Sequence, residues 1–177
     1  MPNFAEQVVQ RLEDLGVKRV YGLVGDSLNP LSDAVRQSDI EWVHVRNEEA
    51  AAFAAGADSL ASDELAVCGA SCGPGNTHFV QGLFEAHRDG AKVLAIASHI
   101  PTIEIGSSFF QETHPELLFQ ECSSYCEVVH EADQGMRVLH NALQNTMAGN
   151  GVSVMVVPGA IFAADTADGP HTSDSVY

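Results

Sequence analysis

VRNEEAAAFAAGA, residues 45–57, is the stretch on which the reading of the whole chain turns. Val45 ends a run of β-formers, Arg46-Asn47 makes a polar turn, and Glu48-Glu49 opens a helix of small residues. Backbone amides at a helix start favour negative charge, so a glutamate there is well placed on structural grounds alone. The sharper reading is a carboxylate held at the carboxyl edge of a parallel sheet and aimed at a ligand. The sequence on either side bears on that choice.

Immediately before the stretch, Glu41 to Val45 reads as a strand, and the helix after it is expected to run to about Ala61. Phe4 to Leu15 has helical apolar spacing and is ended by Gly16. Lys18 to Val24 is a buried strand, Gly25-Asp26-Ser27 a turn at its end, and Leu28 to Arg36 a helix entered at Asn29-Pro30. Further on, Leu65 to Gly69 is a strand running into ASCGPGN, followed by a helix from about Asn76 to His87. Lys92 to Ser98 is apolar throughout, the mark of a strand buried on both faces. His99 to Pro115 is long and irregular, and loops of that length in compact domains tend to be functional. Glu116 to Tyr125 reads as a short helix, Asp133 to Met147 as a longer one, and Val152 to Val157 as the last strand, stopped by Pro158-Gly159. Residues 163–177 are small, polar and acidic, and read as a linker-like tail after a domain of residues 1–162. Strands alternating with helices predict an α/β fold: a three-layer, doubly wound, mostly parallel sheet with helices on both faces. Ligands of such sheets sit beyond the carboxyl ends of the strands. The loops there are Gly25-Asp26-Ser27, Arg46 to Glu48, Ser71 to Asn76, and His99 onward.

The chain has 177 residues, enough for one domain with its own core. Eight Lys and Arg stand against 24 Asp and Glu, a formal charge of −16. That argues against nucleic acid and anionic membrane surfaces as partners. Binding a diphosphate would need a metal ion or amides from elsewhere. No apolar run approaches a membrane span and no signal peptide opens the chain, so a cytoplasmic protein is expected. Cys68, Cys72, Cys122 and Cys126 form two i, i+4 pairs without the usual zinc spacing, and are expected as buried free thiols. If the second pair lay on a helix, its thiols would share a face. No metal site is expected.

Three readings compete at Gly69 to Gly75. Gly69-Ala70-Ser71-Cys72-Gly73 satisfies the G-x-S-x-G pattern that exposes a nucleophilic serine, here Ser71. Cys72 could act as a nucleophile at a helix start. Gly73-Pro74-Gly75 could instead bring bare backbone close to a flat ligand, since glycine lacks a Cβ. Neither a phosphate-binding loop nor a dinucleotide fingerprint is present. His78, His99 and His114 could reach the same sheet edge. Phe109, Phe110, Gln111 and Glu112 could form a substrate wall, or pack as an ordinary loop on the core.

YGLVGDSLNPLSDAV, EWVHVRNEEAAAFAAGA, ELAVCGASCGPGNTH, VLAIASHIP, IGSSFFQETHPELLFQECSSYCE and GVSVMVVPG, in this order, closely resemble the amino-terminal, pyrimidine-binding domain of pyruvate:quinone oxidoreductases. These are thiamine-diphosphate enzymes related to pyruvate oxidase and acetolactate synthase. The resemblance runs from about Phe4 to Gly159. It implies that Glu48 hydrogen-bonds the aminopyrimidine ring of thiamine diphosphate and promotes the tautomer that activates the cofactor. Val24 and Gly25 match positions beside the pyrimidine. Gly73, Pro74, Gly75 and Asn76 match the backbone turn lining the cofactor pocket, and Phe110 and Gln111 match the pair that faces the substrate. Glu49 matches as structural. Asn47 departs from the histidine common before this glutamate, which bears on the hydrogen bonding around the loop.

Members of that family are longer. The resemblance implies that FAD is bound by a middle domain. It places Mg2+ and the diphosphate on a carboxyl-terminal domain with a GDG…N motif that this sequence lacks. The active site would form against the pyrophosphate-binding domain of another subunit, in a homo-oligomer acting on pyruvate and quinone, with a complete enzyme peripheral on the inner face of the membrane. The 177-residue chain is thus expected to be a domain of such an enzyme and inactive alone. Alternatives are an acetolactate synthase-like or other 2-oxo acid decarboxylating enzyme, a stand-alone binding or dimerisation module, and the Ser71 hydrolase.

Overall fold

The computed structural model describes residues 2–166. The elements follow in the order α1 (Phe4–Asp14), β1 (Arg19–Gly22), α2 (Asn29–Arg36), β2 (Glu41–His44), α3 (Glu48–Ser62), β3 (Ala66–Ala70), α4 (Pro74–Arg88) and β4 (Val93–His99). There follow α5 (Pro115–Leu118), β5 (Tyr125–Val128), α6 (Ala132–Asn145), β6 (Ser153–Pro158) and α7 (Gly159–Phe162). The strands form one sheet in the order β2-β1-β3-β4-β6-β5, and every neighbouring pair is parallel. The expected α/β fold is present, with a sheet that is parallel throughout rather than mostly so.

Side chains alternate across a strand, so the central strands feed two separate cores. Val67, Leu94, Ile96, Met155 and Val157 face one layer, built from α1, α2, α6 and α7. Ala66, Cys68, Ala70, Ala95 and Ala97 face the other, against α3 and α4. The first core is filled by large residues, among them Phe4 and Phe162, whose rings stack at 6.3 Å between centroids. Each such fully buried side chain contributes about 1.5–3 kcal/mol. On the second face the strands present mostly alanine, so α3 and α4 settle close to the sheet and to each other. A Cβ on Gly82 would lie 2.6 Å from Ala52 Cβ, and one on Gly56 3.0 Å from Ala86 Cβ. The alanine and glycine run after Glu48 is therefore a packing surface for α4.

Two expectations require correction. The expected helix from Glu116 to Tyr125 spans only Pro115–Leu118, and Tyr125–Val128 is an edge strand on β6. The segment is short and its carboxyl end, YCEVV, is rich in β-formers, so pairing with β6 overrides helical continuation. Cys122 and Cys126 accordingly do not share a helix face: Cys122 lies in the turn after α5 and Cys126 in β5. Of the expected tail, residues 163–166 are described, and 164–166 lie against the start of the chain. Phe4 N–H donates to Ala164 O at 3.0 Å, Asp165 bridges Asn3, and Gln7 bonds the Thr166 hydroxyl. Residues 167–177 lie outside the described residues.

Candidate active site

The chain reverses its direction of winding between β1, which leads to β2 at the edge, and β3, which lies on the other side of β1. The crevice beyond their carboxyl ends is where ligands of open parallel sheets bind. Four loops meet there, after β1, β2, β3 and β4.

Asn47 shapes the first turn of α3. It is extended, and its side-chain oxygen accepts from Glu49 N–H at 2.8 Å, an N-cap. The residue that departs from the family's histidine thus starts the helix and puts Glu48 at its first position. Glu48 is 6% exposed. His78 lies in the second turn of α4, its side chain 52% exposed. Its Nδ1–H donates to Glu48 Oε2 at 3.0 Å, the tautomer an ionised carboxylate requires. Oε1 has no hydrogen-bond partner among the described residues. It faces Gly75, where an added Cβ would lie 3.0 Å from it. Oε1 is not among the buried unpartnered atoms, so it opens from the site and is free to accept from an external N–H.

The glycines around this oxygen form a cradle. Gly73 has φ +67° and ψ −117°, a conformation open to glycine. A Cβ there would lie 2.8 Å from Gln111 Cβ, because Gln111 packs over the turn and donates through Nε2 to Cys72 O at 3.4 Å. A Cβ on Gly25 would lie 2.5 Å from Ser71 Oγ. Pro74 is exposed and begins α4. Asn76 is fully buried; its Nδ2 donates to Ser98 O at 2.8 Å and its Oδ1 is unpartnered. Val24, 50% exposed, and Phe110, 83% exposed, are open apolar side chains on the loops after β1 and β4. Phe109 lies against Phe110 at 4.8 Å between centroids, so the aromatic pair is displayed by its loop and not spent on the core.

The structure brings Glu48, Gly25, Gly73, Gly75 and Gln111 together around Ser71 and Cys72. It adds His78 as the partner of Glu48. The sequence placed His78 at this edge along with His99 and His114, without singling it out. His99 is buried at the end of β4 with Nδ1 unpartnered, and burial pushes its pKa down. His114 is exposed and lies 3.8 Å from Glu116. Ser71 Oγ is bonded to the Ser27 hydroxyl at 3.0 Å and no imidazole among the described residues is within hydrogen-bond distance of it, so the geometry gives Ser71 no base. Cys72 is buried and its Sγ has no hydrogen-bond partner among the described residues. No group of three or more His, Cys, Asp or Glu among the described residues is placed to hold a metal ion.

An acceptor oxygen beside Gly75, where no Cβ stands in front of it, fits the aminopyrimidine half of thiamine diphosphate. Comparison with known proteins agrees. The family described as thiamine pyrophosphate enzyme, N-terminal TPP binding domain, matches residues 2–120. A 42.6 kDa protein of the isoamylase 3′ region of Pseudomonas amyloderamosa is 54% identical over 89% of the chain and 40% of its own length. Pyruvate oxidase of Lactiplantibacillus plantarum is 33% identical over 85% of the chain and 25% of its own length. Acetolactate synthase isozyme 2 large subunit of Escherichia coli is 31% identical over 87% of the chain and 28% of its own length. The chain thus spans two fifths or less of each of these relatives. With its fold, its cradle and these likenesses in agreement, the chain belongs to the family of thiamine pyrophosphate enzyme N-terminal, TPP-binding domains.

Proposed function

We propose that the chain is the pyrimidine-binding domain of a thiamine-diphosphate-dependent pyruvate:quinone oxidoreductase, which converts pyruvate to acetate and carbon dioxide and passes electrons through FAD to quinone. The observation that carries this reading is the Glu48 carboxylate, buried at the start of α3, with Oε2 taken by His78 and Oε1 left for a ligand. When bound, thiamine diphosphate supplies a nucleophilic carbon and an electron sink for decarboxylation of a 2-oxo acid. Glu48 Oε1 holds and exchanges a proton with a ring nitrogen, and His78 fixes the orientation of the carboxyl group. Gly75 leaves Oε1 open to the ring, and Gly25 lets the loop after β1 close against Ser71. Phe110 and Gln111 flank the substrate.

In this proposal the diphosphate, Mg2+ and FAD are held by other domains of a complete cytoplasmic enzyme, one peripheral to the membrane. The site is completed by the pyrophosphate-binding domain of another subunit in a homo-oligomer. The open side chains of Val24, Ile103, Ile105 and Phe110, on the loops after β1 and β4, support a partner covering this edge. A second reading, an acetolactate synthase-like enzyme, is favoured by the likeness to the E. coli isozyme.

The test is product analysis on the complete enzyme carrying this domain. Pyruvate-dependent reduction of a quinone analogue with acetate as product supports the oxidoreductase; acetolactate without quinone reduction supports the second reading. Glu48→Gln lowers either activity by about 10²–10⁴-fold, the usual worth of a positioned acid–base group. Near-normal turnover in that variant removes Glu48 from the mechanism.

A further inference from the structure

The turn that carries Gly73 and Gly75 is mounted on three serines that come from three different segments, the turn after β1, the turn after β3 and the end of β4. Ser98, at the end of β4, donates from Oγ to Ala70 O at 3.0 Å, and its own carbonyl accepts from Asn76 Nδ2 at 2.8 Å. The residues on either side of the glycine turn are therefore tied to the same residue. Ser27, in the turn after β1, lies between them. Its Oγ is 2.6 Å from Ser98 Oγ and 3.0 Å from Ser71 Oγ, and it accepts from Cys72 N–H at 3.1 Å.

Donor arithmetic fixes the direction of every hydroxyl in this group. A serine has one proton and two lone pairs. The Ser98 proton is committed to Ala70 O, so Ser27 donates to Ser98. With its proton spent, Ser27 takes the Cys72 N–H and the Ser71 O–H on its two lone pairs. Ser27 is then fully satisfied, one donor and two acceptors, and the chain runs one way: Ser71 to Ser27 to Ser98 to Ala70. The same turn is closed from outside by Gln111 on Cys72 O. Ser27 itself is backed by α7, where a Cβ on Gly159 would lie 3.2 Å from Ser27 O.

We propose that Ser27 is a positioning residue for the candidate active site: its hydroxyl sets the height of Cys72, and through it the Gly73–Gly75 cradle opposite Glu48, by joining the ends of β1, β3 and β4. The proposal rests on the reading of that cradle as the pyrimidine site. Alanine at Ser27 leaves Cys72 N–H and the Ser71 hydroxyl without their acceptor and the Ser98 hydroxyl without its donor. Threonine keeps the hydroxyl.

The test is amide hydrogen exchange on the 177-residue chain and its Ser27→Ala and Ser27→Thr variants, resolved residue by residue. In parallel, exchange at Gly73 and Gly75 is followed in the complete enzyme carrying this domain, with and without thiamine diphosphate and Mg2+. Ser27→Ala is expected to speed exchange at Cys72 by about tenfold, with the strand amides of β3 and β4 holding their protection, and Ser27→Thr to restore it. Unchanged exchange at Cys72 overturns the proposal, as does an equal loss across all strands, which marks Ser27 as a fold-stabilising residue only. If exchange responds as expected while thiamine diphosphate leaves Gly73 and Gly75 unprotected in the complete enzyme, Ser27 still orders the turn and the cofactor reading is what fails.

Discussion

His78 Nδ1 and Glu48 Oε2 meet at 3.0 Å across the seam between α3 and α4, thirty positions apart in the sequence. The pair joins a buried carboxylate to a half-exposed ring. Taking the ring away leaves Glu48 without a protein partner in a site that water reaches poorly. His78→Ala is expected to cost about 1 kcal/mol of stability, the low end for a lost buried partner because the ring is open to solvent. The same substitution in a Glu48→Ala background, which has no acceptor for the ring, is expected to cost close to nothing. Urea unfolding of the four proteins measures the coupling; additive costs mean that the contact contributes nothing.

The α3–α4 seam sets that distance. Alanine at Gly82 would gain about 1 kcal/mol of helix propensity. Its Cβ would also stand 2.6 Å from Ala52 Cβ and 2.9 Å from Glu49 O. Overpacking of this kind costs about 1–3 kcal/mol, so the clash prevails and Gly82→Ala destabilises the chain. A raised urea midpoint for the variant contradicts the seam as described.

The thiols make stability fall at alkaline pH. Burial pushes Cys122 up to about 11 and Cys126 up to about 12, and raises Cys68 as well. In the unfolded chain these thiols ionise near their ordinary value of about 8.5. Their stabilising effect is therefore complete below that pH and is lost as pH rises toward the folded values. Each thiol removes up to about 1.4 kcal/mol per pH unit across that window. The urea midpoint is expected to drop between pH 8 and pH 10.5, and less steeply in Cys68→Ala. A flat midpoint contradicts the burial.

Glu112 supplies an acid-side counterpart. Its carboxylate accepts from Gly106 N–H at 2.6 Å and Ser108 N–H at 2.9 Å, and these bonds, Gly106 first, hold its pKa below the usual carboxylate range. Gly106 and Ser108 both have positive φ, so the carboxylate ties down a tight bend beside Phe109 and Phe110. The bond is present above the ordinary glutamate pKa and is lost as pH falls through the lowered one. Exchange protection at Gly106 and Ser108 is expected to fade on acidification, and to be absent at neutral pH in Glu112→Ala. Protection independent of both leaves the bend held by something else.

The fold was legible because its strong elements are locally consistent. KVLAIAS and VSVMVV are apolar throughout and flanked by breakers, and both are buried strands. The four-residue strand Tyr125–Val128 was not, since its only strand partner among the described residues, β6, begins twenty-eight residues after it does and nothing local separates it from a fading helix. Of the site, Glu48 and the glycine turn stood out by type and spacing. The choice of His78 among eight histidines did not, because it depends on how closely α3 and α4 approach. Gly56 and Gly82 carried that signal in the sequence, as small residues where two helices pack. The serine mount was hidden for a different reason: Ser27, Ser71 and Ser98 are common residues at the ends of three strands, and only the strand order makes them neighbours.

That strand order also bears on synthesis. β1, β2, β3 and β4 pair only among themselves until β6 appears, so a chain growing from its amino terminus can join these four as soon as Val93–His99 is made. β5 cannot follow in turn. It has no place until Ser153–Pro158 docks on β4, and the outer flank of β4 stays bare until then. A nascent chain halted between Val128 and Ser153 therefore exposes the unpaired outer edge of β4, the strand whose end carries Ser98.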